Sequence, residues 1–549
     1  MLFTSALFYA FIGLILIILL IFSFLSLLPF ENFLRKIFRT TFHFTTCLRK
    51  KRFSLYNLDD LYSSTKFGHY NTFLLSTSLL FYGLLNGKML LLLLAVITWD
   101  FILAKSIYAS KISHKKYYLF VSLSFNLGIL FFYKYAAFIA KECLKICRNM
   151  IDAYAFNSIG WNFSLQSLSF FSSLDGVILP LGISFFTFQS LSYTIDVYRG
   201  KVVPTKSWTD YALYVSFFPQ LVAGPIVKAK DFLPQIYNRL AWAEIPLFSA
   251  ISWIAMGLIK KSILADRLAT IVDSIFLSPN ALDWSFICLG VLSYTIQIFL
   301  DFSGYSDIAI GLALLFGFRL PTNFNMPYLS SSFSEFWNRW HITLSSWLRD
   351  YLYIPLGGNR IGKFYSYRNL FIVMLLGGIW HGASWNFLVW GGLHGILLAI
   401  ERMFWRSDKS RKFSDLENSS LGTKKSYLLK TKSHFLDYLQ KAFSVAFVFL
   451  VTNFLWIFFR SPNWEITRII FSKIFSLEAG LTMPYSWKIE LLTILAIVML
   501  GHFAGIKKFH PENWEKIPLR FEYSLLLAII TIGIALLSVT GKPFIYFVF

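Results

Sequence analysis

Two histidines carry the most chemical promise in this sequence, His341 and His381, forty residues apart. His381 stands in Leu375-Leu-Gly-Gly-Ile-Trp-His-Gly-Ala-Ser-Trp-Asn386, within a stretch, 371–400, that holds no Asp, Glu, Lys or Arg. A desolvated imidazole is uncharged at neutral pH, and that is the form that takes a proton from a hydroxyl or thiol. Gly377, Gly378 and Gly382 remove side-chain bulk beside it, so another backbone or a substrate can approach. A lone buried histidine is more often a satisfied structural group. A second histidine in a comparable tryptophan-rich setting weakens that bland reading. His394, flanked by Gly392 and Gly395, reads as structural.

Three further patterns bear on chemistry. Tyr294, Gln297, Asp301 and Tyr305 recur every three or four residues and stack on one helical face in apolar surroundings. Such a stripe is either a pathway or acid–base wall, or a hydrogen-bonded network that fixes helix packing. Asp301 and Asp307 taken singly favour the second. Over 333–354, Phe333, Phe336, Trp337, Trp340, Leu344, Trp347, Leu348 and Tyr351 form an apolar stripe opposite Glu335, Asn338, Arg339, Ser345, Arg349 and Asp350. At about 100° per residue, His341 falls roughly 80° from the stripe centre, on the border of the two faces. The three tryptophans predict a helix lying in the membrane interface or dipping from it. Cys143 and Cys147 share a helical face, but no second pair completes a zinc site, and no metal is expected. No GxSxG elbow, Walker A loop or HExxH is present.

The elements that must position these residues follow from composition. Of 549 residues, 56% are hydrophobic and 15% charged, against about a quarter charged in soluble domains. Sixty Phe, 28 Tyr and 17 Trp exceed what soluble cores need, and the apolar residues come in long blocks. The chain reads as an integral membrane protein in a single domain, 1–549. Its net charge of +22 lies mostly between the blocks, where it meets anionic headgroups rather than nucleic acid. The block 2–30 is too long for a signal peptide and predicts an uncleaved first helix. Seven Lys and Arg between 35 and 52 make 31–70 a basic cytoplasmic segment and place the N-terminus outside.

Two blocks joined at Asn86-Gly87-Lys88 predict a hairpin, and further blocks bring the expectation to about ten to twelve membrane segments, some re-entrant. Lys134, Lys141, Lys145 and Arg148 blur the orientation in the middle. Residues 402–435, rich in Ser, Lys and Arg, read as a mobile cytoplasmic loop. The stretch 507–520 is expected in the cytoplasm, with a last helix leaving the C-terminus outside. The sequence shows no internal repeat.

Several strings carry a resemblance. They are Pro180-Leu-Gly-Ile-Ser-Phe-Phe-Thr-Phe-Gln189 with Ile195-Asp-Val-Tyr-Arg-Gly200, and Phe218-Pro-Gln-Leu-Val-Ala-Gly-Pro225. Asp301-Phe-Ser-Gly-Tyr-Ser-Asp307, Phe336-Trp-Asn-Arg-Trp-His341, the run from Trp347 to Arg360 and Gly378-Ile-Trp-His-Gly382 complete them. Together they resemble the membrane-bound O-acyltransferases, in the branch of bacterial alginate O-acetyltransferase-like proteins, with 175–400 as the catalytic core.

The resemblance implies an all-α ring of tilted, partly re-entrant helices around a central tunnel. It makes His381 the catalytic residue and His341 the other active-site histidine, toward the donor. Set beside such a tunnel, the polar stripe of Tyr294, Gln297, Asp301 and Tyr305, with Trp337, is expected to line it, and Arg339, Arg349, Trp380 and Asn386 are expected to bind the donor. An acyl thioester, commonly acetyl-coenzyme A, enters from the cytoplasm as co-substrate, with no bound cofactor. The acyl group goes to a hydroxyl of an envelope polysaccharide, or to an extracytoplasmic SGNH-type acyltransferase partner, from a multi-pass protein of the bacterial inner membrane. Three competing readings stay open: a D-alanyl transferase using a carrier protein, a transporter or flippase working through the polar stripe, and a scaffold in a secretion complex.

Overall fold

The apolar blocks fold as helices because a membrane leaves the backbone no other hydrogen-bond partner. The computed structural model describes residues 68–153, 179–222, 224–240, 244–417 and 426–506, and no strand occurs among them. The expected first helix, most of the basic segment 31–70, the stretch 507–520 and the last helix lie outside the described residues. Among those described, seven helical stretches are long and apolar enough to cross a membrane.

Helices α1 (Gly68–Asn86) and α2 (Leu90–Ala109) form the hairpin expected at Gly87, through a single 3₁₀ turn. Asn71 on α1 and Phe101 on α2 reach adjacent residues of a short helix, Asp210 and Tyr211, so the chain has folded back on itself. Helix α3 (Ile112–Ala153) follows, then α4 (Ile183–Tyr198) and α5 (Trp208–Ser216). A buried polar knot ties α2, α3 and α4 together: Asp100 accepts from Ser122 at 2.7 Å and from Asn126 at 2.8 Å, and the Ser122 hydroxyl lies 3.2 Å from that of Thr194. Helices α4 and α5 are mostly buried and, at 16 and 9 residues, shorter than the roughly 20 residues that a straight span needs.

The centre is α8 (Trp284–Leu315), buried along nearly its whole length. Its C-terminal half enters one apolar cluster with α1, α2, α4 and α5. Its N-terminal half enters a second, with residues from 328–398 and 448–498. Before it run α6 (Leu247–Leu258), a π-helical turn (Ile259–Ala265) and α7 (Asp266–Leu277). The close approach of α6 and α8 depends on glycine: a Cβ on Gly257 would lie 2.5 Å from the carbonyl oxygen of Gly304. The π-turn extends Lys261 onto Asp301 at 2.5 Å and Asp266 at 2.8 Å, while Lys260 pairs with Asp307 at 2.6 Å. The charged part of the polar stripe is therefore an ion-paired packing network.

After α8 come α9 (Phe333–Arg339), α10 (Ile342–Leu348) and a π-turn (Arg349–Tyr353). This corrects the single interfacial helix expected over 333–354. The helix breaks at Trp340, which is extended, and at His341, whose φ is 43°. Two main-chain hydrogen bonds of 2.9 Å, Asn325 N–H to Arg339 and Ile342 N–H to Asn323, strap the break to the preceding segment. The aromatic stripe is also buried, with Phe336 and Trp340 at 1% exposure, so it faces protein and not headgroups.

Then α11 (Lys363–His381) and α12 (Trp385–Glu417) make a tight pair, and α13 (Ser426–Arg460), α14 (Trp464–Ser476) and α15 (Tyr485–Ile506) are the last described helices. Helices α12 and α13 run well into 402–435, so the loop expected there is helical at both ends, and 418–425 lie outside the described residues.

Candidate active site

His381 is the last residue of α11, 5% exposed. The glycines beside it serve packing: a Cβ on Gly378 would come within 2.3 Å of the Phe387 carbonyl oxygen, so α12 presses directly on this face of α11. The backbone that the glycines admit is thus α12. Around the imidazole stand Trp380, Trp390 and Phe459, with ring centroids 4.9, 5.2 and 5.1 Å away.

His341 completes the group, its ring centroid 6.5 Å from that of His381 and its side chain fully buried. Forty residues of sequence separation collapse to neighbouring rings because the left-handed break turns His341 inward. Its Nδ1 lies 3.1 Å from Asn323 Oδ1. That oxygen also accepts from the main-chain N–H of Thr343 at 3.3 Å and its hydroxyl at 2.9 Å, which fixes the amide orientation. An oxygen only accepts, so Nδ1 carries the hydrogen and Nε2 of the neutral ring is an acceptor.

The cage holds several buried polar atoms with no hydrogen-bond partner among the described residues: the indole N–H groups of Trp380, Trp390 and Trp456, and His394 Nε2. Unsatisfied buried groups are costly in a packed core and are typical where a polar reactant sits. The other face of His394 is occupied, its Nδ1 taking the Trp337 indole hydrogen at 3.3 Å.

Two cavities flank the cage. One, of about 110 Å³, is lined by His381 and Trp380 with Lys134, Gly182, Ser184 and Phe185. The other, of about 280 Å³, is lined by Trp337, Asn338, Ser345, Ser346, Arg349 and Arg402. Trp337 joins the second to the cage, its ring 5.7 Å from Trp390. A third, apolar cavity of about 720 Å³ lies against Trp347 and Trp380, between which Phe188 is stacked at 3.8 and 5.1 Å.

The residues singled out from the sequence divide accordingly. His341, His381 and Trp380 meet at the cage, and Trp337 and Arg349 line the polar cavity. Arg339 does not: its guanidinium pairs with Glu335 at 2.8 Å and donates to the Asn325 carbonyl. Asn386 donates to the Ser461 carbonyl at 3.1 Å. Tyr294 touches Trp456 at the edge of the cage, whereas Gln297, Asp301 and Tyr305 line none of the three cavities. Sequence reasoning missed Asn323, Trp390 and Arg402. Nothing local marks them, because their importance lies in contacts across the fold. Among the described residues, no group of three His, Cys, Asp or Glu side chains suited to a metal ion occurs.

Residues 205–411, which contain both histidines, match the MBOAT, membrane-bound O-acyltransferase family. The chain is 34% identical over 509 residues to a probable alginate O-acetylase AlgI of Pseudomonas putida, covering 87% of this chain and 94% of that protein. It is 37% identical over 421 residues to a peptidoglycan O-acetyltransferase of Helicobacter pylori, 71% of each chain. A teichoic acid D-alanyltransferase of Bacillus subtilis is 27% identical over 247 residues, 42% of this chain and 61% of that one.

Proposed function

We propose, from the premise that this multi-pass chain belongs to the membrane-bound O-acyltransferase family and is an acyltransferase, that it moves an acetyl group from acetyl-coenzyme A to a cell-envelope polysaccharide. The donor enters from the cytoplasm of a bacterium, across whose inner membrane the chain lies with its N-terminus outside. The acceptor is a polysaccharide hydroxyl, or an extracytoplasmic SGNH-type acyltransferase that completes the transfer. The observation that carries this reading is the buried His341–His381 pair, set between a cavity lined by Arg349 and Arg402 and a cavity that His381 itself lines.

His381 acts as general base. It takes the proton from the acceptor hydroxyl as the oxygen attacks the thioester carbonyl, forming the C–O bond. The C–S bond then breaks, and the departing thiolate recovers that proton from the imidazolium. His341 Nε2, as an acceptor, orients a hydroxyl or N–H in the cage. In its neutral form it has no hydrogen there to give an oxyanion, so donors such as the indole N–H groups of Trp380 and Trp390 take that part. Arg349 and Arg402 meet the phosphates of the donor at the cavity mouth. The acetyl reading is favoured over D-alanyl transfer because the similarity to acetylating relatives extends over twice as much of this chain.

The test is transfer of labelled acetyl from acetyl-coenzyme A by membranes carrying wild type or His381→Ala, with D-alanyl carrier protein as the parallel donor. Loss of acetyl transfer only in the variant is the expected result. Equal turnover in both removes His381 from the chemistry, and turnover of the D-alanyl donor alone replaces the substrate assignment.

A further inference from the structure

An ionisable side chain inside a membrane span is costly, and Lys134 lies within one: α3 spans over Ile112–Cys143. Its partners are not carboxylates. Lys134 Nζ donates to the Trp380 carbonyl at 2.6 Å and to the His381 carbonyl at 2.8 Å. The next residue, Tyr135, donates its hydroxyl to the Ile379 carbonyl at 2.9 Å. Three consecutive carbonyls are satisfied by two consecutive side chains of another helix.

Those carbonyls belong to the end of α11. The last four carbonyls of any helix lack intrahelical partners, and the residue after His381, Gly382, is extended, so the chain does not fold back to meet them. A cation at a helix C-terminus also opposes the partial negative charge there. Among the described residues, 17% of the most apolar stretch of α3 is buried, the smallest share of the seven candidate spans. The contact with α11 is where α3 reaches the active centre. Lys134 and His381 also line the same cavity of about 110 Å³.

We propose that Lys134, assisted by Tyr135, is a positioning residue for His381: it clamps the carbonyl end of α11 and so sets where the imidazole stands relative to the reacting groups. The proposal rests on the role of His381 given above. It also accounts for a lysine that, in sequence, only confuses the assignment of membrane orientation.

The experiment measures acetyl transfer at equal amounts of membrane-inserted protein for wild type, Lys134→Met, Lys134→Arg, Tyr135→Phe and His381→Ala. Lys134→Met is expected to lower kcat about 100-fold, as a displacement of about 1 Å does, with KM for the thioester within about twofold of wild type. Lys134→Arg, which can donate to the same carbonyls, recovers most of the kcat. Tyr135→Phe, missing one bond, loses several-fold. Wild-type kcat in Lys134→Met, or a rise in KM alone, overturns the proposal. If Lys134→Met does not accumulate in membranes, Tyr135→Phe decides, and wild-type kcat there overturns it. Inactive His381→Ala beside fully active Lys134→Met defeats this inference alone, whereas active His381→Ala defeats the functional reading beneath it.

Discussion

Lys261 and Asp301 meet at 2.5 Å with both side chains at most 2% exposed, and Asp266 shares the same ammonium. The charge on Asp301 is consumed in joining α8 to the π-turn before α7. A transporter working through the polar stripe would need that carboxylate for its cargo.

Asp301→Asn is therefore expected to weaken the fold by about 1.5–3 kcal/mol, as for a lost hydrogen bond to a charged group, because Asp266 still pairs with Lys261. Thermal inactivation in membranes should occur at a lower temperature, while enzyme that remains folded keeps a near-normal kcat. Loss of turnover with unchanged thermal inactivation would assign Asp301 a direct role.

His381→Ala removes the proposed base, and the rate should fall about 100- to 10,000-fold, the range that positioned proton transfer supplies. The check is single-turnover acetyl transfer, with thermal inactivation close to wild type to show that the cage persists.

The lock on His341 predicts a second effect. Asn323→Ala frees the imidazole to exchange tautomers and removes the side-chain acceptor that holds Thr343 just after the break. Transfer should drop about 10- to 100-fold, the cost of losing an outer hydrogen bond that orients an active histidine at a metal site, taken here as a guide. Wild-type turnover in Asn323→Ala would show that the ring orientation is set by Phe302, whose ring packs edge-on at 4.6 Å, and not by the amide.

Arg349 and Arg402 should bear on binding more than on rate. Replacing either with Ala is expected to raise KM for acetyl-coenzyme A about tenfold or more, as for a lost hydrogen bond to a charged group, with kcat nearly unchanged. Added salt should raise the wild-type KM in the same direction. Initial rates across donor concentration and ionic strength test both statements. A fall in kcat alone would place the phosphates elsewhere.

Much of this was legible in the residues. Long apolar blocks gave the membrane helices, and the Gly87 turn gave the hairpin, because both depend on local pattern. His341 and His381 were legible as candidates from their unusual surroundings. The break at His341 was not, because the three-four spacing of aromatic residues continues straight through it. What breaks the helix is Asn323 and Asn325, up to 18 residues upstream. The aromatic stripe suggested a membrane interface for a related reason: periodicity reports which face is apolar, not whether lipid or protein covers it. Asp301 and Lys134 show the same limit. Their partners, Lys261 for one and the end of α11 for the other, become neighbours only when the helices pack.

The path of α8 through both apolar clusters has a consequence for inheritance of parts. A helix that is core to both halves leaves no internal seam at which one half can be exchanged for that of a relative. Substrate range in such an architecture can be altered at its margins, through the residues that rim the cavities, without disturbing the central helix.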